Sequence, residues 1–178
     1  MLSKNHHSSF MWTELMSTPL VKGLATLGPV GFLGKAPGTN GSFLGLFFFM
    51  LFFWHLSAVS YGILLLLCTY FATGICEAAE IRMGKRDPGE VIIDEFVAIP
   101  YCFIGVLPYL NRGNIFYFLL AAFLLFRLFD ISKPFGISKL QDLPGGWGVM
   151  IDDIAAALVS CAILNIGVQL LLHYGVIL

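Results

Sequence analysis

Polar residues gather in short clusters along this chain, and the stretches between them are almost wholly apolar. Residues 36–76 hold no Asp, Glu, Lys or Arg, a run of 41, and residues 154–178 give a second such run of 25. A helix crossing a bilayer needs about 20 apolar residues at 1.5 Å each, so the first run holds two passes and the last holds one. Between them lie two more apolar stretches, 91–107 ending at Pro108, and 114–129 stopped by "DISKP". There the proline disfavours helix at the residue before it. The pattern thus predicts five segments, at about 42–54, 58–79, 91–107, 114–129 and 151–174. Ahead of them, residues 12–33 read as an amphipathic helix running into "GPVGFLGKAPGTNGS", whose glycines and prolines predict a re-entrant or surface loop.

The expected fold is all-α, a polytopic integral membrane helical bundle of about five spans plus an N-terminal amphipathic or re-entrant segment. Residues 1–19 are expected to form a cytosolic leader, and 20–178 a single membrane-embedded domain. Composition supports this: 58% of the 178 residues are hydrophobic and 12% charged, where a soluble domain carries about 25% charged residues. The first sixteen residues lack the apolar core and small-residue cleavage site of a signal peptide. Cys68, Cys76, Cys102 and Cys161 have neither metal nor disulfide spacing and read as small hydrophobes. The net charge of −1 says little about partners, and no basic patch points to nucleic acid, so no nucleic-acid partner is expected. Gly45, Gly62 and Gly74 are either close-packing positions between helices or incidental.

Charge then fixes sidedness. With five passes, Lys4, Lys22, Lys35, Arg82, Lys85, Arg86, Arg127, Lys133 and Lys139 share one face, and Arg112 alone lies on the other. The basic-rich face is the cytoplasmic one, so the N-terminus is expected there. All eleven acidic residues fall on that same face, and Glu77, Glu80, Glu90, Asp94, Glu95, Asp130, Asp152 and Asp153 lie close to span ends.

Capping explains an acid at a helix start, as for Asp94, Glu95 and Asp152. It does not explain doublets, nor Glu77 and Asp130 at C-terminal ends, where negative charge is disfavoured. A cation should offset them: Lys133 is one candidate, and a divalent metal held by several carboxylates is the better one. Oxygen donors with no Cys or His alongside suit Mg²⁺ rather than zinc. "APGTNGS" supplies small residues whose backbone N–H groups can approach an anion, at Gly38 and Gly41, with hydroxyls from Thr39 and Ser42. "LPGGWG" before Asp152 could do the same, or both could be ordinary turns. Lys133 and Arg127 can balance phosphate charge. Together these point to phosphoryl chemistry on a lipid at the headgroup level. "CEAAEIR", residues 76–82, has the spacing of a cysteine phosphatase, but its two glutamates would repel phosphate and it continues a helix. No histidine serves either: His6 and His7 fall in the leader, His55 and His173 on the far face.

The four motifs "APGTNGS" (36–42), "DPGEVIIDEF" (87–96), "FRLFDISKP" (126–134) and "GGWGVMIDDIAAA" (145–157) occur in this order, and through them the chain resembles the phosphatidylglycerophosphatase A family of bacterial inner-membrane lipid phosphatases. The resemblance covers about residues 20–165. It implies Mg²⁺-dependent removal of the terminal phosphate from phosphatidylglycerophosphate, giving phosphatidylglycerol, at the cytoplasmic face of the inner membrane. The matching positions are Thr39, Asp94, Glu95, Asp130, Lys133, Asp152 and Asp153. On this reading Asp94, Glu95, Asp130, Asp152 and Asp153, with Glu77 the least certain, hold one or two Mg²⁺ ions. Gly38, Thr39, Gly41, Ser42, Lys133 and Arg127 hold the phosphate. Glu95 or Asp153 is the general base, and a covalent aspartyl-phosphate stays open. Adjacent helical residues point about 100° apart, so each doublet should split between direct and supporting roles.

Two other readings stand beside this one. Another lipid-phosphate enzyme, such as a phosphatidic acid phosphatase or a CDP-alcohol phosphotransferase, is one; the latter's Asp-Gly, Ala-Arg and Asp-x-x-x-Asp signature is absent. A cation transporter is the other, but it predicts acids spread through the bilayer depth. The oligomeric state, a homo-oligomer included, is open.

Overall fold

The computed structural model describes residues 8–110 and 114–175; Lys4, His6, His7 and Arg112 lie outside them. Among the described residues all regular structure is helical: α1 (Met11–Glu14), α2 (Thr18–Ala25), α3 (Pro37–Phe52), α4 (Ala58–Met83), α5 (Ile93–Ala98), α6 (Leu107–Leu110), α7 (Ile115–Ser132) and α8 (Gly146–His173). Three 3₁₀ stretches, Val30–Phe32, Ile99–Phe103 and Pro134–Asp142, complete it.

Of these helices, α4, α7 and α8 are long and apolar enough to cross a membrane. Their outer faces are as greasy as their inner ones. On α7, Phe118, Ala122, Phe126 and Asp130 recur every fourth residue on the buried face, while Phe116, Leu120, Leu124 and Leu128 form the opposite, exposed stripe. A helix that is apolar all round, with one apolar face uncovered by protein, is suited to lipid as solvent.

Two sequence expectations change. Residues 91–107 do not form one helix. Pro100 has no N–H to continue the ladder of α5, and Gly105 takes a left-handed φ of +87°, so the segment breaks into α5, a 3₁₀ turn and α6. The "APGTNGS" stretch is not a loop either. Pro37 occupies the first turn of α3, a position where its fixed φ favours helix and its missing N–H costs nothing. Likewise residues 12–33 form α1, α2 and turns rather than one amphipathic helix.

The glycines of α3 serve close packing. A Cβ at Gly41 would stand 2.8 Å from the Ile92 carbonyl oxygen, and one at Gly45 2.8 Å from that of Phe96. Four residues apart, these two glycines let α3 lie directly on α5, the small-residue packing common between membrane helices. Gly74 is also closely packed, its missing Cβ sitting 2.5 Å from Trp12 Cζ2, whereas Gly62 has nothing within 4 Å.

The five apolar segments alternate in direction. Far from the charged residues, the Phe49 and Phe103 rings stack with centres 3.8 Å apart, the Tyr61 hydroxyl donates to the Pro100 carbonyl, and Asn165 Nδ2 donates to the Ile104 carbonyl at 2.8 Å. The N-terminal helices fold over the other end. Arg82 donates to the Thr13 and Ser17 carbonyls at 2.6 and 3.0 Å, and the Ile92 N–H donates to Ala25 at 2.9 Å.

Candidate active site at one end of the bundle

The starts of α3, α5 and α8 meet the end of α7 at one end of the bundle, and each delivers side chains there. From the first turn of α5 come Asp94 and Glu95, and from α8 comes Asp153. These three can each offer a carboxylate oxygen within 4.8 Å of the others. Asp130, from the last turn of α7, lies beside Asp153. Asp94, Asp130 and Asp153 are all buried.

Buried like charges repel unless a cation or a proton intervenes, and two cationic side chains reach this cluster from its flanks. Arg127 Nη1 donates to Asp130 Oδ2 at 2.6 Å and to Ser42 Oγ at 3.4 Å, and lies 4.0 Å from Glu95 Oε1. Lys133 Nζ donates to Asp152 Oδ2. Lys133 ends α7 in a left-handed conformation, φ +41°, immediately before Pro134. That conformation is uncommon for a residue with a Cβ, and here it accompanies an ammonium turned back onto Asp152. Burial draws the Lys133 ammonium toward its neutral form, but its hydrogen bond to Asp152 and that carboxylate's charge outweigh this and hold its pKa above the ordinary lysine value.

These cations do not satisfy the cluster. Glu95 Oε2 and Asp152 Oδ1 are buried and accept no hydrogen bond among the described residues. A set of oxygen donors from Asp94, Glu95 and Asp153, with unsatisfied oxygen at its edge, has the chemistry a hard divalent cation takes.

The remaining sequence candidates fall at graded distances. Gly38 borders the cluster: a Cβ there would collide with Glu95 Oε1 and stand 3.1 Å from Arg127 Nη1. Thr39 is half-buried on the same turn, and Ser42 is buried, donating to the Gly38 carbonyl at 2.7 Å. Gly41 faces Ile92 instead of the acids. The Asp152–Asp153 doublet divides as expected, Asp152 toward Lys133 and Asp153 into the cluster. The Asp94–Glu95 doublet does not divide. Glu77 stands apart, accepting the Ser9 N–H at 2.9 Å and packing on Gly145, where a Cβ would lie 2.9 Å from its Cδ. Gly145 sits at φ +62°, ψ −157° at the head of α8, a conformation open essentially to glycine alone.

Sequence reasoning placed Glu80 near a span end and Asp87 in a motif but gave neither a role in the site. Asp87 donates its N–H to Glu80 Oε1 at 2.6 Å with φ +46°. With Arg86, Gln141, Asp142 and Gly145 they line a cleft of about 290 Å³. The signal was present, since Asp87 opens the "DPGEVIIDEF" motif. Cys76 is fully buried mid-helix in α4, and its partner in the cysteine-phosphatase spacing, Arg82, holds the N-terminal helices, so that chemistry is not built here. His55 lies just beyond the far end of α3, and His173 is the last residue of α8, at its far end.

The family model for phosphatidylglycerophosphatase A matches residues 23–168, which contain every residue of this cluster. The Haemophilus influenzae phosphatidylglycerophosphatase A is 36% identical over 129 residues, 72% of this chain and 76% of the relative. That of Escherichia coli K12 is 32% identical over 132 residues, 72% of each chain. A Bacteroides thetaiotaomicron protein provisionally named a phosphatidylinositol-3-phosphatase is 33% identical over 133 residues, 73% of this chain and 82% of its own. No solved structure matches the chain. The match over residues 23–168 and the two phosphatidylglycerophosphatase relatives place this chain in the phosphatidylglycerophosphatase A family.

Proposed function

We propose that this protein hydrolyses the terminal phosphomonoester of phosphatidylglycerophosphate, with Mg²⁺, at the cytoplasmic face of the bacterial inner membrane. Water adds to phosphorus, the bond from phosphorus to the glycerol oxygen breaks, and phosphatidylglycerol and inorganic phosphate leave. The observation that carries this reading is the packing of Asp94, Glu95 and Asp153 within 4.8 Å of one another, beside Arg127, inside the family match.

Asp94, Glu95 and Asp153 would hold the metal, with Asp130 against Asp153 and Asp152 offering its free oxygen. Bound there, Mg²⁺ supplies a Lewis acid for the phosphoryl oxygens and for the attacking water. Arg127 and the Gly38–Thr39 turn at the N-terminus of α3 orient the phosphate. The guanidinium offers a planar fork of donors and the helix end favours an anion. Glu95 or Asp153 takes the water's proton. Lys133 fixes Asp152 and is a positioning residue.

The alternation of five apolar segments supports five passes, with α3 and the broken 91–110 stretch joining α4, α7 and α8 in the bilayer. The excess of Lys and Arg at the site's end supports a cytoplasmic orientation for that end. A second substrate reading, phosphatidylinositol 3-phosphate, is favoured by the Bacteroides relative alone. Phosphate release from both lipids in mixed micelles with Mg²⁺ decides between them. We expect phosphatidylglycerophosphate to be cleaved with a kcat/KM at least about tenfold higher, a difference of about 1.4 kcal/mol in transition-state binding. The opposite preference would transfer the assignment.

A further inference from the structure

A groove runs along the outer surface between α3 and α7. Phe43, Phe47 and Met50 line it from one side, and Phe116, Leu119 and Phe123 from the other, and every lining side chain is apolar. Its volume is about 310 Å³. At 1.5 Å per residue, the seven-residue steps from Phe43 to Met50 and from Phe116 to Phe123 give it a length of about 10 Å. Phe43, Phe47 and Phe116 are exposed, so the groove opens sideways toward the surrounding lipid.

Its upper end meets the candidate active site. Phe43 follows Ser42, whose hydroxyl accepts from Arg127, and Phe123 lies one helical turn before Arg127. The two rings meet edge to face there with centres 6.4 Å apart. Just above them the guanidinium reaches Asp130 and approaches Glu95. A second apolar groove is lined by Phe48, Phe71 and Ile75 together with Trp12, Met16 and Leu24 of the N-terminal segment.

We infer that the α3–α7 groove receives one acyl chain of the phospholipid substrate and so sets the lateral route by which the headgroup reaches Arg127. This rests on the phosphatase reading and adds to it a chain-binding subsite. Two observations commit the groove to a lipid chain rather than a protein helix. Its lining is wholly apolar, and its Phe43–Phe123 end lies next to Ser42 and one helical turn from Arg127, whose mostly buried guanidinium is suited to a phosphate. An acyl chain lying there places its glycerol ester at the level of Ser42 and its phosphate beside Arg127, with no polar group carried into the apolar part.

The test fills the groove one turn below its mouth. Leu119→Trp should raise KM for dioleoyl-phosphatidylglycerophosphate at least about tenfold, since several methylenes of the chain lose their apolar cover. KM for the dibutanoyl form, too short to pass Phe43 and Phe123, should stay at the wild-type value. Leu124→Trp, on the exposed stripe of α7 outside the groove, should leave both substrates unaffected. A wild-type KM for the dioleoyl form in L119W, or an equal loss on both substrates, overturns the inference. Wild-type protein that cleaves neither form overturns the phosphatase reading itself, and the groove with it. As a measurement independent of the variant, a dioleoyl-type substrate bearing a diazirine at mid-chain should label residues 43–50 and 116–123 of the wild type, and excess unlabelled substrate should suppress that labelling. Labelling spread evenly over the exposed faces, or unaffected by competitor, counts against it.

Discussion

Asp153→Asn lowers phosphate release from phosphatidylglycerophosphate by a factor on the order of 10³, the scale on which enzymes lose rate when a charged group at the reacting phosphate is removed. The substitution keeps the shape of the side chain, so packing at the head of α8 is preserved. It deletes one of three carboxylates that sit within 4.8 Å of one another, beside a fourth from Asp130. Without a bound cation that arrangement opposes folding, because buried like charges repel. The same variant should therefore unfold, in detergent and without added metal, at a temperature equal to or above that of wild type. Loss of activity together with retained or improved stability marks a group kept for chemistry at a cost to the fold. An asparagine variant that is both active and less stable would show Asp153 to be a structural residue.

Arg127→Gln has the reverse thermal signature. Its guanidinium touches Asp130 at 2.6 Å, lies 4.0 Å from Glu95, and is mostly buried. Removing one partner of a buried ion pair leaves its carboxylates uncompensated, at a cost of about 3 kcal/mol. Activity should fall about 100-fold as well, since the cation placed for the phosphate is lost along with the Ser42 contact. Thermal unfolding and phosphate release on the same purified samples separate the two effects. Added Mg²⁺ should recover part of the lost stability, because it neutralises the same acids. Activity should stay low, because the metal does not replace a planar donor. Full activity in R127Q would remove Arg127 from the phosphate site.

Much of this was legible because the bilayer imposes a simple rule on sequence. Charge-free runs of 41 and 25 residues can only be satisfied by helices in lipid, and α4, α7 and α8 follow within a few residues of the predicted bounds. The convergence of Asp94, Glu95, Asp130 and Asp153 followed from counting passes, since each lies where a segment meets the same face. What the pattern could not give was the local backbone. The 91–107 stretch is apolar enough for a span, and only the combined effect of Pro100 and Gly105 breaks it. The "APGTNGS" stretch was read as an anion loop because glycine in a polar context usually marks a turn. Here Gly41 joins Gly45 as a flat contact point for α5; close packing was already one reading of Gly45 from the sequence, whereas for Gly41 it shows only once the neighbouring helix is placed. The split of the Asp152–Asp153 doublet followed from helical geometry. The shared aim of Asp94 and Glu95 did not, since neighbours on a helix point about 100° apart, and the flexible glutamate side chain is what lets both reach the same cluster. Glu77 lies outside the Asp94–Glu95–Asp153 group, with its side chain turned toward Gly145 and the Ser9 amide.

The most direct measurement follows inorganic phosphate release from phosphatidylglycerophosphate by the detergent-purified protein, first with Mg²⁺, then with excess EDTA, then with Mg²⁺ restored. Release that requires Mg²⁺, stops in EDTA and returns on readdition is the predicted result, and it would make the Asp94–Glu95–Asp153 cluster the metal centre of a phosphatidylglycerophosphate phosphatase. Release that continues undiminished in EDTA would contradict that account and leave the packed carboxylates without the cation proposed to hold them together.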